Sequence, residues 1–212
     1  MMLDLDALRQ AHVTHSPFSF AVVPGFVAAE DAGAVRADFP AIDHPGLLPL
    51  GATTYGPRFA QLIREIRSHA TARAFSEIFD LDLVGRPLMI TVRGRCQEKD
   101  GRIHTDSETK LVTALLYFND PWEAAGGRLR LTRGPDNLDD MIAEVPPDAG
   151  TLVTFRRSER SFHGHAPYVG VRRYVMFNWM ASGFAARREI VRHHVSALAK
   201  RVWPVPAAAA HA

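Results

Sequence analysis

The stretch GTLVTFRRSERSFHGHAPYVGVRRYVMFNWM, residues 150–180, is dense in β-branched and aromatic residues and is interrupted only by polar and glycine-bearing turns. It divides into strands over 150–156, 161–168 and 171–180. The same texture upstream gives strands over 88–95, 110–118 and 127–133, with Gly126-Gly127, Pro146-Pro147, Asp148 to Gly150 and Gly170 as the punctuation. Such a run of short strands predicts an antiparallel double sheet of the jelly-roll kind. Ahead of residue 87 the apolar spacing turns helical. Leu3 to Ala11 and Ala28 to Phe39 are helical runs, with a strand over Phe18 to Val23 after Ser16-Pro17. From Pro57 a stripe through Phe59, Leu62, Ile63, Ile66, Ala70, Ala74, Phe75 and Ile78 predicts one long helix or two, packed on a sheet. Phe184 to Trp203 is helical again. The expected fold is therefore α+β: mostly helical support at 1–87, a β core at 88–180, a C-terminal helix at 181–203 and an alanine-rich tail at 204–212, all in a single domain.

The composition agrees with a self-sufficient globular chain, since 47% of the 212 residues are hydrophobic and 23% charged. Twenty-five basic residues against 23 acidic ones are too evenly balanced for the broad basic footprint of a nucleic-acid binder. The N-terminus has neither a basic stretch nor a long apolar run, so it does not read as a secretory signal, and no stretch is long enough to span a membrane. Cys96 is the single cysteine. A lone thiol fits a reducing compartment, and the expected location is the cytoplasm.

His104-Thr105-Asp106 places an imidazole and a carboxylate two residues apart, on the same side of an extended segment, where both reach one metal ion. A single His-x-Asp arises easily by chance. What raises this one is His163 on a later strand, which completes a two-histidine, one-carboxylate set that leaves coordination positions open, as on iron(II). A closed structural zinc site would need a fourth ligand, and no cysteine cluster offers one. About ten residues after His163 stand Arg172 and Arg173. An arginine turned into a β core requires an anion, and beside a metal that anion reads as a carboxylate ligand held by two hydrogen bonds. His165, one strand period from His163, is the rival ligand. Gly126-Gly127 reads as a turn, because no helix pattern or Lys-Ser/Thr follows it.

Taken in order, these motifs resemble the 2-oxoglutarate and iron(II)-dependent oxygenases of the prolyl hydroxylase type. The segment Asp100-Gly-Arg-Ile-His104-Thr-Asp106 is similar to that family's first metal motif. Tyr117-Phe118-Asn119 with Trp122 resembles its next strand and turn, Gly126 to Leu131 its glycine pair and strand, and His163-Gly-His-Ala-Pro167 its last metal motif. Residues 88–180 carry the likeness, which is nearest to bacterial relatives of the hypoxia-sensing prolyl hydroxylases. The resemblance implies a double-stranded β-helix core in which His104, Asp106 and His163 ligate iron(II). It implies also that Arg173 grips the distal carboxylate of 2-oxoglutarate with help from Tyr117, and that Thr113, Leu115 and Trp179 complete the cosubstrate pocket. Strand parity from Arg173 puts Val175, Phe177 and Trp179 on its face and leaves Arg172 outside. Where many relatives carry a tyrosine, this chain has Arg93 and Arg95.

The implied activity is hydroxylation of an unactivated C–H bond with dioxygen, yielding succinate and carbon dioxide, with ascorbate as an accompanying reductant. A prolyl residue in a protein or peptide is the first substrate expectation, and a free amino acid or other small molecule is the second. Two rivals remain at this point. A cupin-like metalloenzyme would use the same three ligands without 2-oxoglutarate, and a non-catalytic jelly-roll binding module would use none of them as ligands.

Overall fold

The computed structural model of the protein describes residues 1–184 and 186–191. The first eighty residues hold α1 (Leu5–Gln10), β1 (Phe20–Val23), α2 (Ala29–Ala37), β2 (Leu48–Pro49), α3 (Pro57–Ile66) and α4 (His69–Phe79). The single stripe that ran from Pro57 onward is split at Ser68, whose side chain caps α4 by accepting from the Thr71 amide. Asp80, in the left-handed conformation at φ 50°, ends that helix. The core strands follow as β3 (Leu88–Cys96), β4 (Lys110–Tyr117), β5 (Leu129–Thr132), β6 (Met141–Val145), β7 (Leu152–Arg156), β8 (His163–Gly164) and β9 (Gly170–Met180). They form a six-stranded sheet in the order β1-β7-β4-β9-β3-β2 and a three-stranded sheet β6-β5-β8, the two leaves of a jelly roll.

Period-two alternation along β4 and β9 sorts side chains between two cores. Val112, Ala114, Leu116, Val175, Phe177 and Trp179 point to the helices, where they join Phe59, Leu62, Ile63 and Phe75 in one buried cluster. Leu115, Tyr117, Tyr174 and Met176 point between the sheets, against Leu129, Leu131 and Val145 of the small sheet. The helices thus cover one face of the large sheet and leave its other face to build a site.

Three expectations need revision. The strand expected over 161–168 contracts to His163–Gly164, because the chain there pairs for only two residues with β5. β6 was not anticipated; it is a half-exposed edge strand beside β5, so its sequence lacks the alternation that burial imposes. The third concerns parity. β4 and β9 are hydrogen-bonded neighbours with Thr113 opposite Asn178, Leu115 opposite Met176 and Tyr117 opposite Tyr174. Paired residues share a face. Arg173 and Trp179, on the other parity, therefore face away from the space between the sheets. Trp179 packs 4.7 Å from the ring of Phe75 in the helix-facing core and is no part of a cosubstrate pocket.

Beyond β9 the chain is helical at 183–184 and 186–191, while the expected continuation to 203 and the tail lie outside the described residues. No helix among the described residues is long and apolar enough to cross a membrane.

Candidate metal and cosubstrate site

His104 and His163 meet across a single antiparallel bridge, each amide donating to the other's carbonyl at 3.0 Å, so the first metal motif is stitched to the edge of the small sheet beside β8. Asp106 follows two residues later. One nitrogen from each imidazole and one carboxylate oxygen lie within 4.8 Å of one another. Nδ1 of His104 lies 2.9 Å from the carbonyl of Arg102, and Nδ1 of His163 lies 3.0 Å from that of Ser161. As donors to those carbonyls they leave Nε2 of both rings as the free lone pair, the tautomer a metal ligand needs.

Asp106 is held on both oxygens. The buried ammonium of Lys110 donates to Oδ1 at 2.7 Å, and the Thr113 hydroxyl donates to Oδ2. Thr113 itself accepts from the amide of Asn178 at 2.8 Å, which fixes the direction of its hydroxyl proton. Burial alone would favour the protonated acid, but the charge of Lys110, that of His163 once acid protonates it, and these hydrogen bonds outweigh it and hold Asp106 well below the usual carboxylate range. Burial also lowers the pKa of His163 to about 4, keeping its imidazole neutral. Thr113, expected as a cosubstrate contact, is instead committed to the carboxylate. Lys110 went unnoticed in the sequence; a lysine four residues after a ligand carries no signal until the loop folds it back.

The ligands line a cavity of about 340 Å³ between the sheets. Leu115 and Met176 form part of its apolar wall, and Arg172 is buried in it at 2% exposure. The Arg172 guanidinium donates from Nε to the Gly127 carbonyl at 2.7 Å and from Nη2 to the Tyr117 hydroxyl at 3.4 Å. It stacks over the rings of Tyr117 and Tyr174, 5.3 and 5.2 Å from their centroids. No carboxylate among the described residues pairs with it. Burial pushes the Tyr117 phenol up to about 12, so it remains a neutral donor. The inward arginine is therefore Arg172. Arg173 lies half-buried on the outer side, beside two shallow clefts, and its backbone is bracketed by the side chain of Asn119. The pairing described above exchanges the expected orientations of the two arginines.

His165 also lines the cavity, but its Nδ1 faces the Ala166 carbonyl at 2.9 Å and it is not in the three-residue cluster. Burial, with Arg172 and Arg93 nearby, lowers its pKa to about 4. Arg93 faces the cavity as well, paired with Asp100, whereas Arg95 is on the outer side. The alternation breaks because β3 advances two residues from Arg93 to Arg95 while β9 advances three, a bulge at the arginine pair.

The donor set fits iron(II): two imidazole lone pairs and one oriented carboxylate on one side, cavity on the other. The buried, anion-free arginine in the same cavity fits a dicarboxylate cosubstrate.

Comparison with known proteins agrees with this chemistry. The family model described as the 2OG-Fe(II) oxygenase superfamily matches residues 94–181. No curated protein matches the chain in sequence. Among solved structures, a Pseudomonas putida prolyl-4-hydroxylase is 20% identical with a TM-score of 0.55, covering 83% of this chain and 96% of that one. A viral collagen prolyl hydroxylase from Paramecium bursaria Chlorella virus-1, in its 2-oxoglutarate complex, is 14% identical with a TM-score of 0.54, covering 77% and 95%. HygX from Streptomyces hygroscopicus, with nickel and 2-oxoglutarate bound, is 18% identical with a TM-score of 0.51, covering 78% and 82%. At these identities the likeness is one of fold.

Proposed function

We propose that this chain, which over residues 94–181 matches the model of the 2OG-Fe(II) oxygenase superfamily, is a member of it and hydroxylates an unactivated C–H bond as a single-domain enzyme, with His104, Asp106 and His163 as its metal ligands. The observation that carries this reading is the buried Arg172, without a carboxylate partner, in the same cavity as the three ligands. A cupin-like enzyme that used the metal alone would have no need of it.

Iron(II), when bound, supplies the redox chemistry by which dioxygen and 2-oxoglutarate become succinate, carbon dioxide and a hydroxyl group on the substrate. The protein's own part is positioning and electrostatics. His104 and His163 present Nε2, Asp106 presents an oxygen oriented by Lys110 and Thr113, and the three occupy one side so that the opposite positions stay open. Arg172 and the Tyr117 hydroxyl receive the distal carboxylate of the cosubstrate, and the stack of Tyr117 and Tyr174 holds the guanidinium plane in place. Leu115 and Met176 keep that end of the cavity apolar and dry.

A prolyl residue in a protein or peptide is the first substrate class, supported by the fold likeness to prolyl hydroxylases, and a small molecule is the second. The buried lone thiol of Cys96 supports a cytoplasmic setting. Anaerobic iron(II) titration with and without 2-oxoglutarate, followed by succinate release in air, tests the reading. Metal binding that is indifferent to 2-oxoglutarate would replace it with the cupin-like one.

A further inference from the structure

The site cavity is far more basic than the chain that builds it. Arg93, Lys99, Arg102, Lys110 and Arg172 line it, against the carboxylates of Asp100 and Asp106 alone. Five cations against two carboxylates leave an excess of three positive charges in one cavity of a protein whose whole formal charge is +2. Arg93 pairs with Asp100 and Lys110 with Asp106. Lys99, Arg102 and Arg172 have no carboxylate partner among the described residues, and the rest of the chain, residues 185 and 192–212, contains no Asp or Glu that could supply one. Iron(II) would add two charges and 2-oxoglutarate would remove two, so the loaded cavity keeps the same excess.

With Arg172 assigned to the cosubstrate, the surplus stands at the mouth, on the turn between β3 and the first metal motif. That turn is anchored rather than loose. Asp100 accepts from the Gln97 amide at 3.0 Å, the Gly101 carbonyl accepts from the His165 amide at 2.8 Å, and the Arg102 carbonyl faces Nδ1 of His104 at 2.9 Å. Lys99 and Arg102 are thereby fixed at the rim beside the metal ligands while their side chains stay exposed. Beneath them Arg93 is partly buried, its side chain 11% exposed, and its inaccessible Nε has no hydrogen-bond partner. A buried donor left unmatched is costly unless a ligand completes it.

We infer that the primary substrate is an acid, carrying a carboxylate or phosphate that docks on Lys99, Arg102 and Arg93 while its reacting carbon faces the metal. The inference rests on the oxygenase reading and narrows it: a prolyl peptide would be taken with acidic neighbours, a small molecule as an anion, and a basic or neutral counterpart would be refused because the rim repels or fails to hold it.

Inorganic phosphate is the direct probe. Protein loaded with nickel(II) and saturated with 2-oxoglutarate is titrated with phosphate by calorimetry, beside a Lys99→Gln/Arg102→Gln double variant. Saturable binding that weakens by about tenfold or more in the variant is expected, the scale for losing charged partners at a binding site, with 2-oxoglutarate affinity unchanged. Displacement of phosphate by a blocked Asp-Pro-Asp peptide assigns a peptide source, and displacement by free L-glutamate a small-molecule source. Equal phosphate binding by the two proteins, no saturable binding by the wild type, or equally good displacement by a Lys-Pro-Lys peptide would overturn the inference. Failure of 2-oxoglutarate itself to bind would instead remove the oxygenase reading, which the first titration registers separately.

Discussion

The guanidinium of Arg172 on β9 lies 5.3 Å from the ring centroid of Tyr117 on the neighbouring strand β4, with Nη2 3.4 Å from that tyrosine's hydroxyl oxygen. A cation, a neutral phenol and a backbone carbonyl so arranged provide two donors for a carboxylate and no negative charge to compete with it. Replacing Arg172 with Ala is expected to weaken 2-oxoglutarate by about 2–5 kcal/mol, the range for truncating one member of a buried charged pair, with metal affinity nearly unchanged. Arg173→Ala should leave both constants alone, because that side chain is on the outer face. Calorimetry on the nickel-loaded proteins decides it; an effect confined to Arg173 would reject the assignment.

Lys110 and Thr113 should matter through Asp106. Lys110→Met leaves a buried carboxylate without its counter-charge, a loss of about 3–5 kcal/mol in the metal-free protein. Bound metal replaces part of that positive charge, so saturating nickel(II) should recover much of the loss. Urea denaturation with and without metal gives the comparison, and an equal loss in both conditions would mean that Lys110 is only packing.

His163→Ala should abolish tight metal binding, whereas His165→Ala should retain it, because only His163 lies within ligand distance of His104 and Asp106. Direct metal titration ranks the two variants. The reverse order would move the metal one strand period along the chain.

The two buried histidines set an acid limit on the metal-free protein. Both fold with their pKa lowered from 6.5 to about 4 by burial, so between these values the unfolded chain binds more protons than the folded one. Their contribution is intact above pH 6.5 and is lost progressively as the pH falls toward 4, at up to about 1.4 kcal/mol per pH unit for each histidine. Stability measured across that window should rise with pH, and His165→Gln should reduce the slope. A flat profile would show that the rings are not held neutral.

Gly101, at φ +94°, lets the turn lie against His165; a Cβ there would come within 2.4 Å of that residue's Nδ1 and carbonyl oxygen. Gly101→Ala should destabilise the fold by about 1–3 kcal/mol through backbone strain and should also disturb metal binding by moving the adjacent motif. Thermal melts and metal titration on the same sample test both effects, and an unchanged melt would contradict the close approach.

The sequence alone determined the α+β jelly roll and the order of its parts, because burial on one or two faces imposes a period of two or 3.6 that is written locally. The edge strand β6, half-exposed, left no such mark. The three candidate ligands were legible for a similar local reason, since a short His-x-Asp and a later histidine stand in a recognisable order. Which arginine faces the cavity was not legible. That depends on β9 pairing with β4 so that Tyr174 opposes Tyr117, and pairing register is settled by contacts between residues about sixty positions apart. Nor could the sequence tell that Lys110 and Thr113 would hold Asp106, or that Arg93 would turn inward while Arg95 turned out at a bulge. Those facts arise where separate segments meet, and a shift of one residue in pairing sends every side chain of a strand to the opposite face.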